Sequence, residues 1–233
     1  TATRATSFPG SRGMEKELAA CEETVASVIG VILAGGRSRR MGGETKAFVA
    51  LADQPMLQAV IDRFRPQVGQ LLLSVEQVSP QWEPFGLEQV PDPRPGSHGP
   101  LGGLLAALDW AIQQGASFVA LAPCDAPFLP ESLVSELGNA AVRQACPVAV
   151  VRYGGRIQPV FSLWSTALAG RLHEAVTDRR MAGFMQYLRV QEHAILDWPQ
   201  EAHNPFFNIN DRGALEQARR RIGQKTESEQ CSA

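Results

Sequence analysis

A chain of 233 residues suits one α/β domain with a sizeable core, or at most two small domains, and no apolar run approaches the length of a membrane span. Its net charge of −2, with 20% charged and 44% hydrophobic residues, gives no general electrostatic case for nucleic acid or a membrane as partner. Cys21, Cys124, Cys146 and Cys231 form no C-x-x-C pair, which argues against a zinc site and against a disulfide-dense secreted scaffold.

Residues 1–27 read as a flexible N-terminal extension. Thr, Ser, Arg, Pro and Gly mix over residues 1–12, and Met14 to Ala20 either add a helical turn or two or mark a start at Met14. These residues lack the continuous apolar core of a signal peptide, so the expected location is the cytoplasm. One domain is expected over residues 28–222, followed by a flexible polar tail over 223–233.

Val28 to Leu33 is a short apolar run that predicts a buried strand, and it breaks abruptly into glycine. From Gly35 to Lys46 stand Gly35, Gly36, Gly42 and Gly43, with Arg37, Arg39, Arg40 and the lysine itself. Glycines let a backbone approach a ligand closely, consecutive N–H groups form an anion-binding nest, and the cations complement phosphate. A Walker A loop is excluded because Lys46 precedes Ala47 and follows no glycine; the dinucleotide fingerprint fails because Gly35 and Gly36 are adjacent. A nucleoside triphosphate is the ligand such a loop suits.

Beyond the loop, Leu57, Val60, Ile61 and Phe64 fall at i, i+3, i+4 and i+7, predicting a helix opened by Pro55. Strands are expected at 70–75 and 87–90, then a helix carrying Leu101, Leu104, Leu105, Leu108 and Ile112 on one face. A strand over 118–122 precedes Pro123-Cys124-Asp125-Ala126-Pro127, and a helix is expected from about Pro130 to Arg143. Later strands are expected at 148–152, 159–164 and 190–196, and helices at 167–176, 183–188 and 212–222. Repeated βα units imply a Rossmann-like α/β fold, a mostly parallel sheet with helices on both faces, and such sheets bind ligands at the carboxyl ends of their strands.

Asp125 follows a buried strand between prolines that fix its loop. That suits Mg²⁺, which takes one or two carboxylates plus waters and phosphate oxygens. Alone, Asp125 reads equally well as a turn or capping residue; the upstream phosphate loop favours the metal. Asp92 precedes a Gly- and Pro-rich stretch and either contacts the nucleoside, helps hold the metal, or opens an Asp-Pro turn. Cys124 reads as a small buried apolar side chain, and His98 as a loop residue.

The pattern L-A-G-G-x-S-x-R-M-G-x-x-x-K resembles the nucleotidyltransferase superfamily. Together with VPD…GPLGGLLAAL, LAPCDAPFLP, QPVFSLW and NPFFNIND, in that order from Gly30 to Leu215, it resembles the molybdenum cofactor guanylyltransferases of MobA type. That resemblance implies transfer of GMP from GTP to the terminal phosphate of molybdopterin, with Mg²⁺ as cofactor and pyrophosphate released. It places Leu33, Ala34, Gly35 and Gly36 on the nucleotide, Lys46 and Arg40 on its phosphates, Asp92 on the nucleoside and Asp125 on the metal. Asp125, Lys46 and Arg40 would carry the catalysis. Ser74 stands where the family has a base-contacting asparagine. Arg179, Arg180, Asn208 and Asn210 resemble positions on the pterin side, although NPFFNIND also reads as an Asn-rich turn capping the last helix. The product would pass to molybdoenzymes or their chaperones. Competing readings are a cytidylyl enzyme, a sugar- or polyol-phosphate nucleotidyltransferase, and a non-catalytic nucleotide-binding module.

Overall fold

The computed structural model describes residues 27–34, 45–92, 99–178 and 180–230. The expected turns near Met14, the loop from Gly35 to Glu44 with Gly36 and Arg40, the segment from Pro93 to His98, and Arg179 fall outside them.

Strand β1 (Val28–Leu33) leads, through a 3₁₀ turn at Lys46–Phe48, into a small hairpin of β2 (Ala50–Leu51) and β3 (Gln54–Pro55). Helix α1 (Met56–Phe64) follows, then β4 (Gln70–Val75), β5 (Glu88–Pro91), α2 (Gly99–Gln113) and β6 (Phe118–Pro123). The second half comprises α3 (Leu133–Arg143), β7 (Val148–Tyr153), β8 (Arg156–Ser165), α4 (Ala169–Thr177), α5 (Phe184–Leu188), β9 (Ala194–Asp197) and α6 (Arg212–Gln230).

Seven strands form one sheet in the order β5-β4-β1-β6-β8-β7-β9. The period-2 alternation of the strands builds two cores. Ile32, Leu73, Ala120 and Ala122 face α1 and α3, whereas Val31, Leu72, Val119 and Leu121 face α2, α4 and α5. Both faces are therefore covered by helices, as the βα pattern predicted, and strands buried on two sides read as continuous apolar runs.

The mostly parallel sheet contains one reversal. Strand β8 runs antiparallel to both β6 and β7, while β1, β4, β5 and β6 pair in parallel, as do β7 and β9. A two-residue Gly154-Gly155 turn, with φ of 55° and 75°, closes β7 onto β8 as a hairpin and leaves no length for a crossover helix. Strand β8 begins at Arg156, ahead of the expected Pro159. The register slips between Val150 and Val151, so Pro159, which has no N–H for the ladder, sits in the irregular stretch.

Other boundaries shift for local reasons. Helix α3 starts at Leu133 because Pro130 to Ser132 form a turn, and the amide of Val134 donates to the side chain of buried Gln67 at 3.0 Å. Strand β9 starts at Ala194 and not near Val190, whose amide still donates to the Tyr187 carbonyl closing α5. Helix α6 runs to Gln230, past the expected end at Ile222. No helix among the described residues is long and apolar enough to cross a membrane.

Candidate active site

The chain leaves β1 through α1 to β4 and β5 on one side, then returns through α2 to β6 on the other side of β1. This reversal of strand order opens a crevice at the carboxyl end of β1, where doubly wound sheets bind their ligands. The edges of that crevice are stitched by backbone. The amide of Ala34 donates to the Ser74 carbonyl at 2.9 Å, that of Cys124 to the Leu33 carbonyl at 3.2 Å, and that of Asp92 to the Val75 carbonyl at 2.9 Å. Leu33, Ala34, Ser74, Asp92 and Asp125 thus stand at or just past the ends of four consecutive strands.

Two glycines bring α2 against this edge. A β-carbon on Gly102 would lie 2.7 Å from Asp92 Oδ1, and one on Gly103 would lie 2.6 Å from Ser74 Oγ. Only hydrogen at both positions lets the first turns of the helix approach the Asp92 carboxylate and the Ser74 hydroxyl. The turn from α4 to α5 docks here as well. The Leu101 amide donates to the Ala182 carbonyl at 3.3 Å, and Arg180 in the same turn is held at a φ of 52°.

On the other flank of β1, the 3₁₀ turn at Lys46–Phe48 aims Lys46 inward. The residue is 8% exposed, and its Nζ lies 3.1 Å from Asp125 Oδ2. Nζ also donates to Asn210 Oδ1. Asp125 is fixed from behind, because the amide of Ile209 donates to its carbonyl at 2.8 Å. The geometry brings Lys46 together with Asp125, and adds Asn210, whose bond to Lys46 no local sequence pattern announces. Asp-flanked asparagines in NIND were the available signal.

The donor chemistry fits a hard cation. No hydrogen bond from a described residue uses Asp125 Oδ1, and Asn208 Oδ1 is buried without a donor among the described residues. Both are oxygens of the type Mg²⁺ prefers. The described residues contain no cluster of three His, Cys, Asp or Glu side chains able to hold a metal by themselves. Mg²⁺ commonly takes only one or two carboxylates, the rest of its shell being water and phosphate oxygens, so Asp125 and Asn208 fit such an ion. Cys124 is no nucleophile here: burial, then the adjacent Asp125 carboxylate, push its thiol up to about 12.

A buried lysine paired with a carboxylate, at the switch point of a doubly wound sheet, is an arrangement that suits a nucleotidyltransferase. Residues 30–195 match the family model for the MobA-like NTP transferase domain. The molybdenum cofactor guanylyltransferase of Rhodopseudomonas palustris (strain BisB5) is 37% identical over 192 residues, covering 82% of this chain and 91% of its own length. The crystal structure of molybdopterin-guanine dinucleotide biosynthesis protein A from Archaeoglobus fulgidus is similar with a TM-score of 0.69 at 20% identity, covering 84% of this chain and 99% of that one. CMP:2-keto-3-deoxy-manno-octonic acid synthetase, complexed with CTP, is similar with a TM-score of 0.63 at 11% identity, over 85% of this chain and 98% of its own. This chain belongs to the MobA-like NTP transferase family.

Proposed function

We propose that this protein transfers GMP from GTP to the terminal phosphate of molybdopterin. An oxygen of the acceptor phosphate forms the new bond to the α-phosphorus, the bond from that phosphorus to the β-phosphate oxygen breaks, and pyrophosphate leaves. The observation that carries this reading is the Lys46–Asp125 pair, 3.1 Å apart at the carboxyl end of β1, in a chain 37% identical to a guanylyltransferase.

Each residue has a role that follows from its chemistry. Lys46 donates to triphosphate oxygens, and by their chemistry Arg40 and the amides of Gly35 and Gly36 suit the same phosphates as a positive charge and as donors. Leu33 and Ala34 form the floor beneath the nucleoside, with Ser74 and Asp92 at the base and ribose end. Asp125 is the carboxylate that would hold Mg²⁺, with Asn208 as a neutral oxygen on the same segment as Asn210. When bound, Mg²⁺ supplies charge neutralisation across the phosphate oxygens. The acceptor phosphate is already ionised near neutral pH, so these residues need supply no general base. Positioning two polyanions and stabilising the leaving group account for the catalysis. We assign this reaction to the cytoplasm, with molybdoenzymes or their chaperones receiving the product.

The experiment is a pyrophosphate-release assay with purified protein, GTP, Mg²⁺ and molybdopterin. Release that requires all three supports the reading, and the same assay with CTP separates the cytidylyl alternative.

A further inference from the structure

We propose that Asn210 is a positioning residue for Lys46, so that the segment resembling the acceptor flank of the family's site holds the cation that receives the triphosphate. The proposal rests on the reading of Lys46 as the phosphate-directed lysine.

An ammonium group has three donors and no acceptor. Among the described residues Lys46 uses two of them, one on Asp125 Oδ2 and one on Asn210 Oδ1. With Asp125 alone as partner, the flexible four-carbon stem would let Nζ settle anywhere around the carboxylate. A second, neutral acceptor removes that freedom without adding negative charge where a triphosphate must bind. Among the described residues the third donor has no acceptor, and it is the one a phosphate would take.

The position of Asn210 is itself fixed by its neighbours in sequence. Ile209 is fully buried and its amide donates to the Asp125 carbonyl at 2.8 Å. Asp211 caps α6: its carboxylate accepts from the Ala214 amide at 2.8 Å and its carbonyl from Leu215 at 3.0 Å. The Asn210 side chain is therefore anchored through the backbone on both sides although the residue is exposed. Its oxygen is an acceptor held in place before any ligand arrives, which is the arrangement preorganisation requires. Asp125 is tied to the same segment through Ile209, so the lysine, the carboxylate and the asparagine belong to one connected set of hydrogen bonds.

The test is a double-mutant cycle on GTP binding, measured by calorimetry with Mg²⁺ and without acceptor, so that no turnover contributes. Asn210→Ala is expected to weaken GTP about tenfold, the value of one hydrogen bond to a charged group. In a Lys46→Met background the same change is expected to have almost no effect, because there is no ammonium left to place. Asn210→Leu, which keeps bulk and removes the acceptor, should behave like Asn210→Ala. Melting curves of each variant accompany the binding data, and a merely structural Asn210 would weaken GTP equally in both backgrounds. Equal losses in the two backgrounds, or no loss from Asn210→Ala alone, would overturn the proposal and leave the GTP reading intact. Failure of the unaltered chain to bind GTP would overturn both.

Discussion

Lys46 and Asp125 stand 79 residues apart in the chain, and their side chains meet at 3.1 Å. Each is mostly buried, the lysine side chain at 10% exposure and the aspartate at 16%, so water screens the pair weakly. The pair places a cation and an anion side by side at the carboxyl end of β1, where the proposed reaction puts a triphosphate and its metal. Removing either partner should therefore affect different ligands. Lys46→Met, which keeps most of the stem, is expected to raise KM for GTP strongly in steady-state kinetics. Unchanged kcat and KM would reduce Lys46 to a structural lysine.

Asp125→Asn keeps the shape of the side chain and removes its charge. We expect turnover to fall by about 100-fold or more, comparable to loss of a main electrostatic stabiliser. The rate should not be restored at saturating Mg²⁺, and circular dichroism should report an intact fold. Near-normal activity in that folded variant would remove the metal role.

Gly103→Ala tests how α2 sets the base end of the site. Its new β-carbon would stand 2.6 Å from Ser74 Oγ, so either the serine turns away or the helix withdraws. Weakened GTP binding is expected, with Gly102→Ala doing the same through Asp92 at 2.7 Å. Normal affinity in both variants would detach Ser74 and Asp92 from nucleotide binding. Ser74→Asn is the converse change: an amide offers two donors where a hydroxyl offers one. With Gly103 left intact beside it, we expect discrimination between GTP and CTP to sharpen by about 0.5–1.5 kcal/mol, the value of one net hydrogen bond.

Cys124 gives a pH-dependent prediction whose sign is fixed by burial. Its thiol ionises at about 12 in the folded chain against 9.0 in the unfolded one. The unfolded chain thus loses its proton first, and this contribution to stability is present below about 9 and falls as pH rises from there towards 12. At pH 8 iodoacetamide should label half-buried Cys146 in the native protein and spare Cys124, as mass spectrometry of the two peptides would show. Equal labelling would contradict the buried placement of Cys124.

The strands at the site were legible in sequence because burial on two faces leaves continuous apolar runs, as in Val28–Leu33 and Phe118–Pro123. Asp125 was legible because it follows such a run directly. The reversal of β8 was written in Gly154-Gly155, a hairpin signal that the surrounding βα rhythm outweighed. Strands β2 and β3 have two residues each, too few to show any period. The burial of Lys46 and its bond to Asn210, 164 residues away, arise only when α6 and the NIND segment fold back over the hairpin. No local pattern encodes a contact of that kind. The roles given to Arg40, Gly35 and Gly36 rest on their chemistry, since those residues lie outside the described ones.

Transfer of a guanylyl group onto molybdopterin at this site is open to direct test. The most direct measurement supplies purified protein, Mg²⁺ and molybdopterin with an equimolar pool of GTP, CTP, ATP and UTP, and identifies the dinucleotide product by mass spectrometry alongside pyrophosphate release. The expected outcome is a GMP adduct as the dominant product, formed with one pyrophosphate for each molecule. A dominant CMP adduct, or an unmodified acceptor in the presence of all components, would contradict it.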